Sequence, residues 1–213
     1  MFVHGIVHIQ RRELRAKLCA MLDEPRAHHL VTAKPEIVLR AHQDAQYRAV
    51  INAADVVVAD GFGLILASLL RGRVVARITG MEIVGALLDL AQERRLSVHF
   101  VLKENGLSSV DDVSRIFGED GGESAVIILV TLGSPDQEFW IAKHRDRFPN
   151  ARIFVGVGGA VDYLTGRILR APRFVQWVGF EWLWRLIQQP RRIRRIVNAV
   201  IVFPLTVLFH RDH

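Results

Sequence analysis

The sequence contains very little cysteine and no long apolar run. Cys19 is its only cysteine, so no intramolecular disulfide can form and a reducing, cytosolic environment is expected. No stretch has the roughly 18–20 uninterrupted apolar residues that a membrane-spanning helix needs. The nearest, residues 196–209, is shorter and contains an asparagine and a proline. The apolar start, residues 1–10, is too short for a signal peptide. These absences predict a soluble or peripheral protein.

Several motifs that define nucleotide and metal enzymes are also missing. There is no G-x-x-x-x-G-K-[ST] sequence, which excludes a P-loop nucleotidase, and no H-E-x-x-H zinc motif. No two aspartates are spaced as Asp-x-Asp, the motif whose carboxylates usually bind the metal ion that contacts a nucleotide diphosphate. The turn at residues 156–159 lacks the third glycine of a dinucleotide fingerprint, because Val161 occupies that position. We therefore expect neither a bound metal nor a cofactor.

Apolar β-branched runs alternate with helical periodicity along the chain. Strands are predicted at residues 29–32, 56–59, 98–102, 126–130 and 152–157. Helices are predicted at residues 13–22, from Pro35 onward, and at 64–70, 81–94 and 138–147. This alternation predicts an α/β fold with a Rossmann-like, mostly parallel sheet and helices on both faces. Residues 1–178 are assigned to this core, and residues 179–213 to a basic and apolar helical appendage.

Polar or glycine-rich turns follow the predicted strands, at Thr32, Asp60, 133–137 and 156–159. In an open α/β sheet the ligand binds beyond the carboxyl ends of the strands, so these turns are the candidate site. Asp60 follows a buried strand, and the neighbouring Gly61 and Gly63 fit a close approach of substrate. Its carboxylate either caps the next helix or acts as a general base, and the residues alone leave both interpretations open.

The formal net charge of +6 is unevenly distributed. Five arginines without an acid among them lie near the C-terminus, at Arg185, Arg191, Arg192, Arg194 and Arg195. Such a cluster suits phosphate on a nucleotide, a nucleic acid or an anionic lipid, although it is also compatible with a solvated helix face. Nucleic-acid binding is disfavoured, because apolar runs rather than aromatic residues set out for base stacking flank the arginines.

The apolar segment 196–209 follows this cluster, and the tryptophan-rich segment 181–186 precedes it. Arginines three apart, such as Arg192 and Arg195, share one face of a helix. The combination resembles an interfacial membrane anchor. The alternative is a C-terminal helix that packs on the sheet.

Ordered sequence blocks of this chain resemble those of the WecG/TagA/CpsF glycosyltransferases. Two blocks are specific: G-x-P-x-Q-E-x-W at residues 133–140, and E-W-L-x-R-L with a following proline and arginines at 181–195. The others lie at residues 32–36, 59–63, 77–80, 156–162 and 170–172. The resemblance implies an inverting, metal-independent transfer of a sugar, of N-acetylmannosamine type or a related hexose, from a UDP-sugar. The implied acceptor is linked to undecaprenyl diphosphate, in the biosynthesis of teichoic acid, capsule or exopolysaccharide.

The resemblance also implies roles for individual residues. Asp60 is then the catalytic base and Thr32 its polar partner. The arginines that close over the site are Arg185, Arg192 and Arg195. The substrate-binding residues are Lys34, Gly61, Gly63, Arg77, Gly133, Gln137, Gly156, Gly158 and Gly159. The implied location is cytoplasmic and peripheral, on the inner face of the bacterial plasma membrane, with attachment through the C-terminal segment. The resemblance also implies that the protein self-associates and does not bind nucleic acid.

Three features depart from the family pattern. Lys34 stands where asparagine is usual, Glu82 stands where aspartate is usual, and the segment 103–126 is shorter. Lys34 either contacts a phosphate or acid of the substrate or points into solvent. The departures keep a second hypothesis open, in which the protein is a weakly active or non-catalytic binding subunit of a polysaccharide assembly complex.

Overall fold

Apolar, β-branched segments form one parallel sheet. The computed structural model describes residues 9–70, 72, 74–101 and 124–158, together with Trp184 and Phe203. Its strands are β1 (His28–Ala33), β2 (Val56–Ala59), β3 (Val98–Val101), β4 (Ile127–Val130) and β5 (Ile153–Gly156). They pair in the order β2-β1-β5-β4-β3, and every neighbouring pair is parallel. The predicted Rossmann-like α/β fold is confirmed.

The helices of this part of the chain are α1 (Leu14–Asp23), α2 (Pro35–Gln43), α3 (Ala45–Asn52), α4 (Phe62–Leu70), α5 (Gly80–Arg94) and α6 (Asp136–His144). Pro35 occupies the first position of α2, where the missing N–H costs nothing. A reciprocal capping box starts α5: Thr79 Oγ1 accepts from the N–H of Glu82 at 3.2 Å, and the Glu82 carboxylate accepts from the N–H of Thr79 at 2.8 Å.

Both faces of the sheet are covered, which explains why most strand residues are apolar, although β3 is only partly buried. Alternate strand residues point to opposite sides, so Leu30 and Val58 pack against α1 and α5 on one face. Val31 and Val57 pack against α2, α3 and α4 on the other face. Helix α6 covers the β4–β5 part of that second face.

One helix and several element ends differ from the sequence prediction. Helix α3 was missed; it begins after Asp44, whose carboxylate accepts from the N–H of Tyr47 at 3.0 Å. Helices α4 and α6 each start two residues earlier than predicted, and α6 ends at His144, because a 3₁₀ turn, Arg145–Arg147, follows it. Strand β3 is described as far as Val101, so its predicted end at residue 102 stays a prediction.

The boundary predicted between residues 178 and 179 lies outside the described ranges, as does most of the C-terminal appendage. Phe203 is helical, 3% exposed and packed in the cluster that α2, α3 and α4 form with the sheet. The burial of this one side chain agrees with the alternative in which a C-terminal helix packs on the sheet. None of the helices within the described ranges is both long and apolar enough to cross a bilayer.

His29 is buried at the amino end of β1. Its Nε2 atom has no hydrogen-bond partner among the described residues. Burial lowers its pKa to about 4; the positive charge of Arg145 acts in the same direction, and Asp55 opposes it. The imidazole is therefore held in the neutral form inside the folded protein.

This burial makes the stability of the fold sensitive to acid. In the unfolded chain His29 titrates near its ordinary pKa of 6.5, so below that pH the unfolded state binds the extra proton first. Stability is therefore lost as the pH falls from 6.5 towards 4. The difference between wild type and His29→Leu in the free energy of unfolding is expected to change by about 3 kcal/mol over this window. Urea unfolding at a series of pH values measures it, and parallel curves for the two proteins would contradict it.

Candidate active site

Asp60 lies at the carboxyl end of β2, and its carboxylate is held by a distant helix. Its N–H donates to the carbonyl oxygen of Ala33 at 2.8 Å, which extends the pairing of β1 and β2 by one residue. Its Oδ2 atom accepts from the N–H of Gly80, the first residue of α5, at 3.3 Å. A helix amino terminus favours a negative charge. The carboxylate therefore stabilises the start of α5, rather than the start of the next helix along the chain.

Thr32 faces the same point from the neighbouring strand. A Cβ atom built on Gly80 would lie 3.8 Å from both Asp60 Oδ2 and Thr32 Oγ1. The Thr32 hydroxyl donates to the carbonyl oxygen of Gly156, at the end of β5, at 3.3 Å. Three strand ends and one helix start thus converge at this point.

Lys34 contacts the carboxylate directly. Its Nζ atom lies 3.5 Å from Asp60 Oδ2, and the Lys34 side chain is partly exposed while that of Asp60 is 12% exposed. The structure pairs the ammonium with Asp60, where the asparagine usual in the family could donate a hydrogen bond but carry no charge. Contact of Lys34 with a phosphate or acid of the substrate stays a prediction.

Arg77 and the glycines after Asp60 shape the backbone around it. Arg77 Nε donates to the carbonyl oxygen of Asp60 at 3.2 Å. A Cβ atom on Gly61 would lie 2.4 Å from Cδ of Pro35, so contact with α2 already requires glycine there. Gly63 is buried within α4. Direct contact of these residues with substrate stays a prediction.

A second polar network lies at the end of β5. Gln137 Oε1 accepts from the N–H of Gly158 at 3.1 Å, and Gln137 Nε2 donates to Glu138 Oε1 at 2.6 Å. The Tyr47 hydroxyl donates to Glu138 Oε2 at 3.1 Å and shares a 2.6 Å hydrogen bond with the Ser134 hydroxyl. Glu138 is 1% exposed. The network fixes which end of the Gln137 amide faces the turn.

Burial raises the pKa of Glu138, and hydrogen bonds from Gln137, Ser134 and Tyr47 partly oppose this shift. Burial and the neighbouring Glu138 also raise the pKa of Tyr47. Tyr47 therefore stays a neutral donor. The sequence predicted Gln137 and Gly158 as substrate-binding residues but not their network with Glu138, Tyr47 and Ser134. The signal for it was the adjacent Q-E pair in the specific block at residues 133–140.

The structure brings together Thr32, Lys34, Asp60, Arg77, Gln137, Gly156 and Gly158 around the carboxyl ends of β1, β2 and β5. Gly133, with a φ of +84°, forms the turn before α6. Gly159, Arg185, Arg192 and Arg195 lie outside the described residues, so their roles stay predictions. Within the described ranges, no three histidine, cysteine or acidic side chains gather as potential metal ligands.

The sequence model of the glycosyl transferase WecG/TagA/CpsF family matches residues 3–111 and 122–212 of this chain. The chain belongs to this family. A WecG/TagA/CpsF protein is a glycosyltransferase, which confirms the predicted enzyme class. A similar protein is the N-acetylglucosaminyldiphosphoundecaprenol N-acetyl-beta-D-mannosaminyltransferase of Bacillus spizizenii (strain W23). The two sequences are 34% identical over an alignment of 200 residues. The match covers 83% of this chain and 77% of the relative.

The contact between Gly156 and Gln137 gives a test of the second network. A Cβ atom at Gly156 would lie 2.5 Å from Gln137 Nε2 and 3.0 Å from its Cγ, so Gly156→Ala must displace the side chain and break both amide hydrogen bonds. We expect the free energy of unfolding to fall by about 1–3 kcal/mol. We also expect a higher KM for the donor. Urea unfolding and initial rates measure the two effects.

The matched control is Gly85→Ala in α5, where the added methyl meets nothing within 4 Å. It should be neutral or stabilise the helix by about 0.5–1 kcal/mol. Adding Gln137→Ala to Gly156→Ala removes the clash, but the hydrogen bonds to Glu138 and Gly158 stay lost. Stability should therefore recover only in part, and the donor KM should stay high. A double variant as unstable as Gly156→Ala alone would show that the clash is not the cause.

Proposed function

We propose that the protein is an inverting glycosyltransferase that moves a sugar from a UDP-sugar to an acceptor linked to undecaprenyl diphosphate. The observation that carries the proposal is the Asp60 carboxylate, fixed by Gly80 at the carboxyl edge of the sheet beside Thr32. The name of the relative supports a sugar of N-acetylmannosamine type and an N-acetylglucosaminyl diphosphoundecaprenol acceptor.

The chemistry assigned to this site is a single displacement. The bond between the anomeric carbon and the diphosphate breaks, and its electron pair leaves with UDP. The acceptor hydroxyl forms the new bond from the opposite face, which inverts the anomeric centre, and its proton passes to Asp60. Because Gly80 and Lys34 hold one oxygen of the carboxylate, the base is oriented before substrate arrives.

The departing diphosphate gains negative charge and needs a cation. In the proposal Arg185, Arg192 and Arg195 supply it, because a guanidinium forms paired hydrogen bonds with phosphate oxygens and stays charged at any relevant pH. No metal is then required. The partly exposed Lys34 ammonium provides a further positive charge at the mouth of the site.

The proposed setting is cell-surface polysaccharide synthesis at the cytoplasmic face of the bacterial plasma membrane. A lipid-linked acceptor remains in the bilayer, so the enzyme has to work at its surface. The basic and apolar residues of segment 179–213 suit attachment to that surface. Self-association, implied by the family, belongs to the same proposal.

Asp60→Asn tests the catalytic base. An asparagine oxygen can still accept from the N–H of Gly80, so the fold should be retained while the ability to take a proton is lost. UDP release with a lipid-diphosphate-sugar acceptor should fall by roughly two to four powers of ten. Asp44→Asn is the matched control, because asparagine caps α3 as well as aspartate does. Equal rates in Asp60→Asn and wild type would exclude Asp60 as the base.

Substitution of the C-terminal arginines tests the proposed diphosphate contacts. Arg192→Gln and Arg195→Gln should each lower kcat for UDP release by about 10²–10³-fold, as loss of a transition-state donor does. Arg191→Gln, which removes the same charge one residue away, should change it less than threefold or so. Equal losses for all three variants would indicate general attraction of the basic segment rather than placed contacts.

The ion pair between Lys34 and Asp60 favours the second candidate function, a binding subunit with little or no turnover, because it keeps the carboxylate engaged. Calorimetry and rate measurements on wild type separate the two. Binding of a UDP-sugar without UDP release in the presence of acceptor supports the subunit, and measurable release supports the enzyme.

A further inference from the structure

Every large hydrophobic side chain that is exposed in the described part of the chain belongs to one short stretch, in or just after α4. These residues, here called the α4 patch, are Phe62, Leu69, Leu70 and Val74, with exposed fractions of 39%, 52%, 48% and 75%. The opposite side of the helix is buried, through Leu64 and Ala67. Helix α4 is therefore apolar on its outer side as well as its inner side.

An outer face without polar groups is unusual for a surface helix. Phe62 and Leu69, seven residues apart, share one side of the helix. Helix α4 contains no charged residue, and the hydroxyl of its serine, Ser68, donates to the carbonyl oxygen of Ile65 at 2.8 Å within the helix. Helices that are apolar all round are normally covered, and a clustered exposed patch marks a contact surface.

The charges next to the patch indicate what covers it. Residues 61–81 contain three arginines, Arg71, Arg73 and Arg77, and no acid. Apolar side chains that insert between headgroups, flanked by arginines that attract anionic lipids, are the combination that binds a bilayer surface. Arginine is also enriched at interfaces between proteins, so a second copy of the chain is an alternative occupant that the test below separates from a membrane.

One end of the patch lies next to the candidate active site. Phe62 follows Asp60 by two residues, whereas Leu69 and Leu70 lie at the other end of α4, which packs on the face of the sheet where Phe203 is buried. We propose that the α4 patch docks the enzyme on an anionic membrane surface, so that the site opens towards the headgroups. The proposal rests on the proposed function, since a lipid-linked diphosphate would reach Asp60 from that surface.

The test measures the binding of the full-length protein to vesicles. Leu69→Gln combined with Leu70→Gln removes two exposed side chains, and glutamine keeps the helix propensity. Co-sedimentation with vesicles of equal parts phosphatidylglycerol and phosphatidylcholine should weaken at least about tenfold in the partition coefficient. The matched control is Ala142→Gln on the exposed side of α6, which should bind as wild type does. Unchanged binding of the double variant would overturn the proposal.

Two further measurements separate this proposal from its alternatives. UDP release with a short-chain, water-soluble acceptor should be unchanged in the double variant, whereas release with a long-chain acceptor in vesicles should fall in parallel with vesicle binding. A wild type inactive on both acceptors would contradict the proposed function, while vesicle binding still tests the patch by itself. Sedimentation equilibrium tests a second copy of the chain as the occupant. A change from oligomer to monomer in the double variant, with vesicle binding retained, would overturn the membrane assignment.

Discussion

The hydrogen bond from the Gly80 N–H to the Asp60 carboxylate connects the parts of the molecule on which the site depends. It joins the end of β2 to the start of α5, although 20 residues separate them in the chain. The helix dipole favours the charged carboxylate, and the carboxylate satisfies an N–H that the helix itself cannot. The Thr32 hydroxyl faces the same point from β1. The bond thus joins the start of α5 to the end of β2 and orients the proposed base.

The second polar network, around Gln137 and Glu138, holds the turn after β5 in place. Gln137 presents its carbonyl oxygen to Gly158 because Glu138 accepts from its amide nitrogen. An amide side chain could otherwise adopt either orientation. Burying a carboxyl group for this purpose costs free energy, as the raised pKa of Glu138 shows, and the hydrogen bonds from Tyr47 and Gln137 offset part of that cost. The Q-E pair of the family motif is thereby a unit in which the second residue positions the first.

The fold could be predicted from sequence because its strands are mostly buried and apolar, with β2 and β4 as uninterrupted aliphatic runs. The position of Asp60 at a strand end followed from the same pattern. Its partner could not be predicted, since Gly80 approaches through tertiary packing that no local spacing encodes. The same applies to Tyr47, whose helix α3 has ordinary composition and was missed. Lys34 shows the limit most clearly: the sequence identified an unusual residue, but only the structure pairs its ammonium with Asp60.

Departures from ordinary folding rules are concentrated around the carboxyl edge of the sheet. A buried acid lies at Glu138, a lysine is paired with the proposed base, and an exposed phenylalanine, Phe62, begins α4. Each opposes stability or solubility by itself, so each requires a compensating role, and that edge is where a parallel sheet places its ligand. His29 breaks the same rules at the amino edge, where no substrate is expected. A buried imidazole with one unpartnered nitrogen is therefore not by itself a sign of function. The carboxyl edge differs because Lys34, Gly80 and Thr32 there surround one carboxylate, that of Asp60.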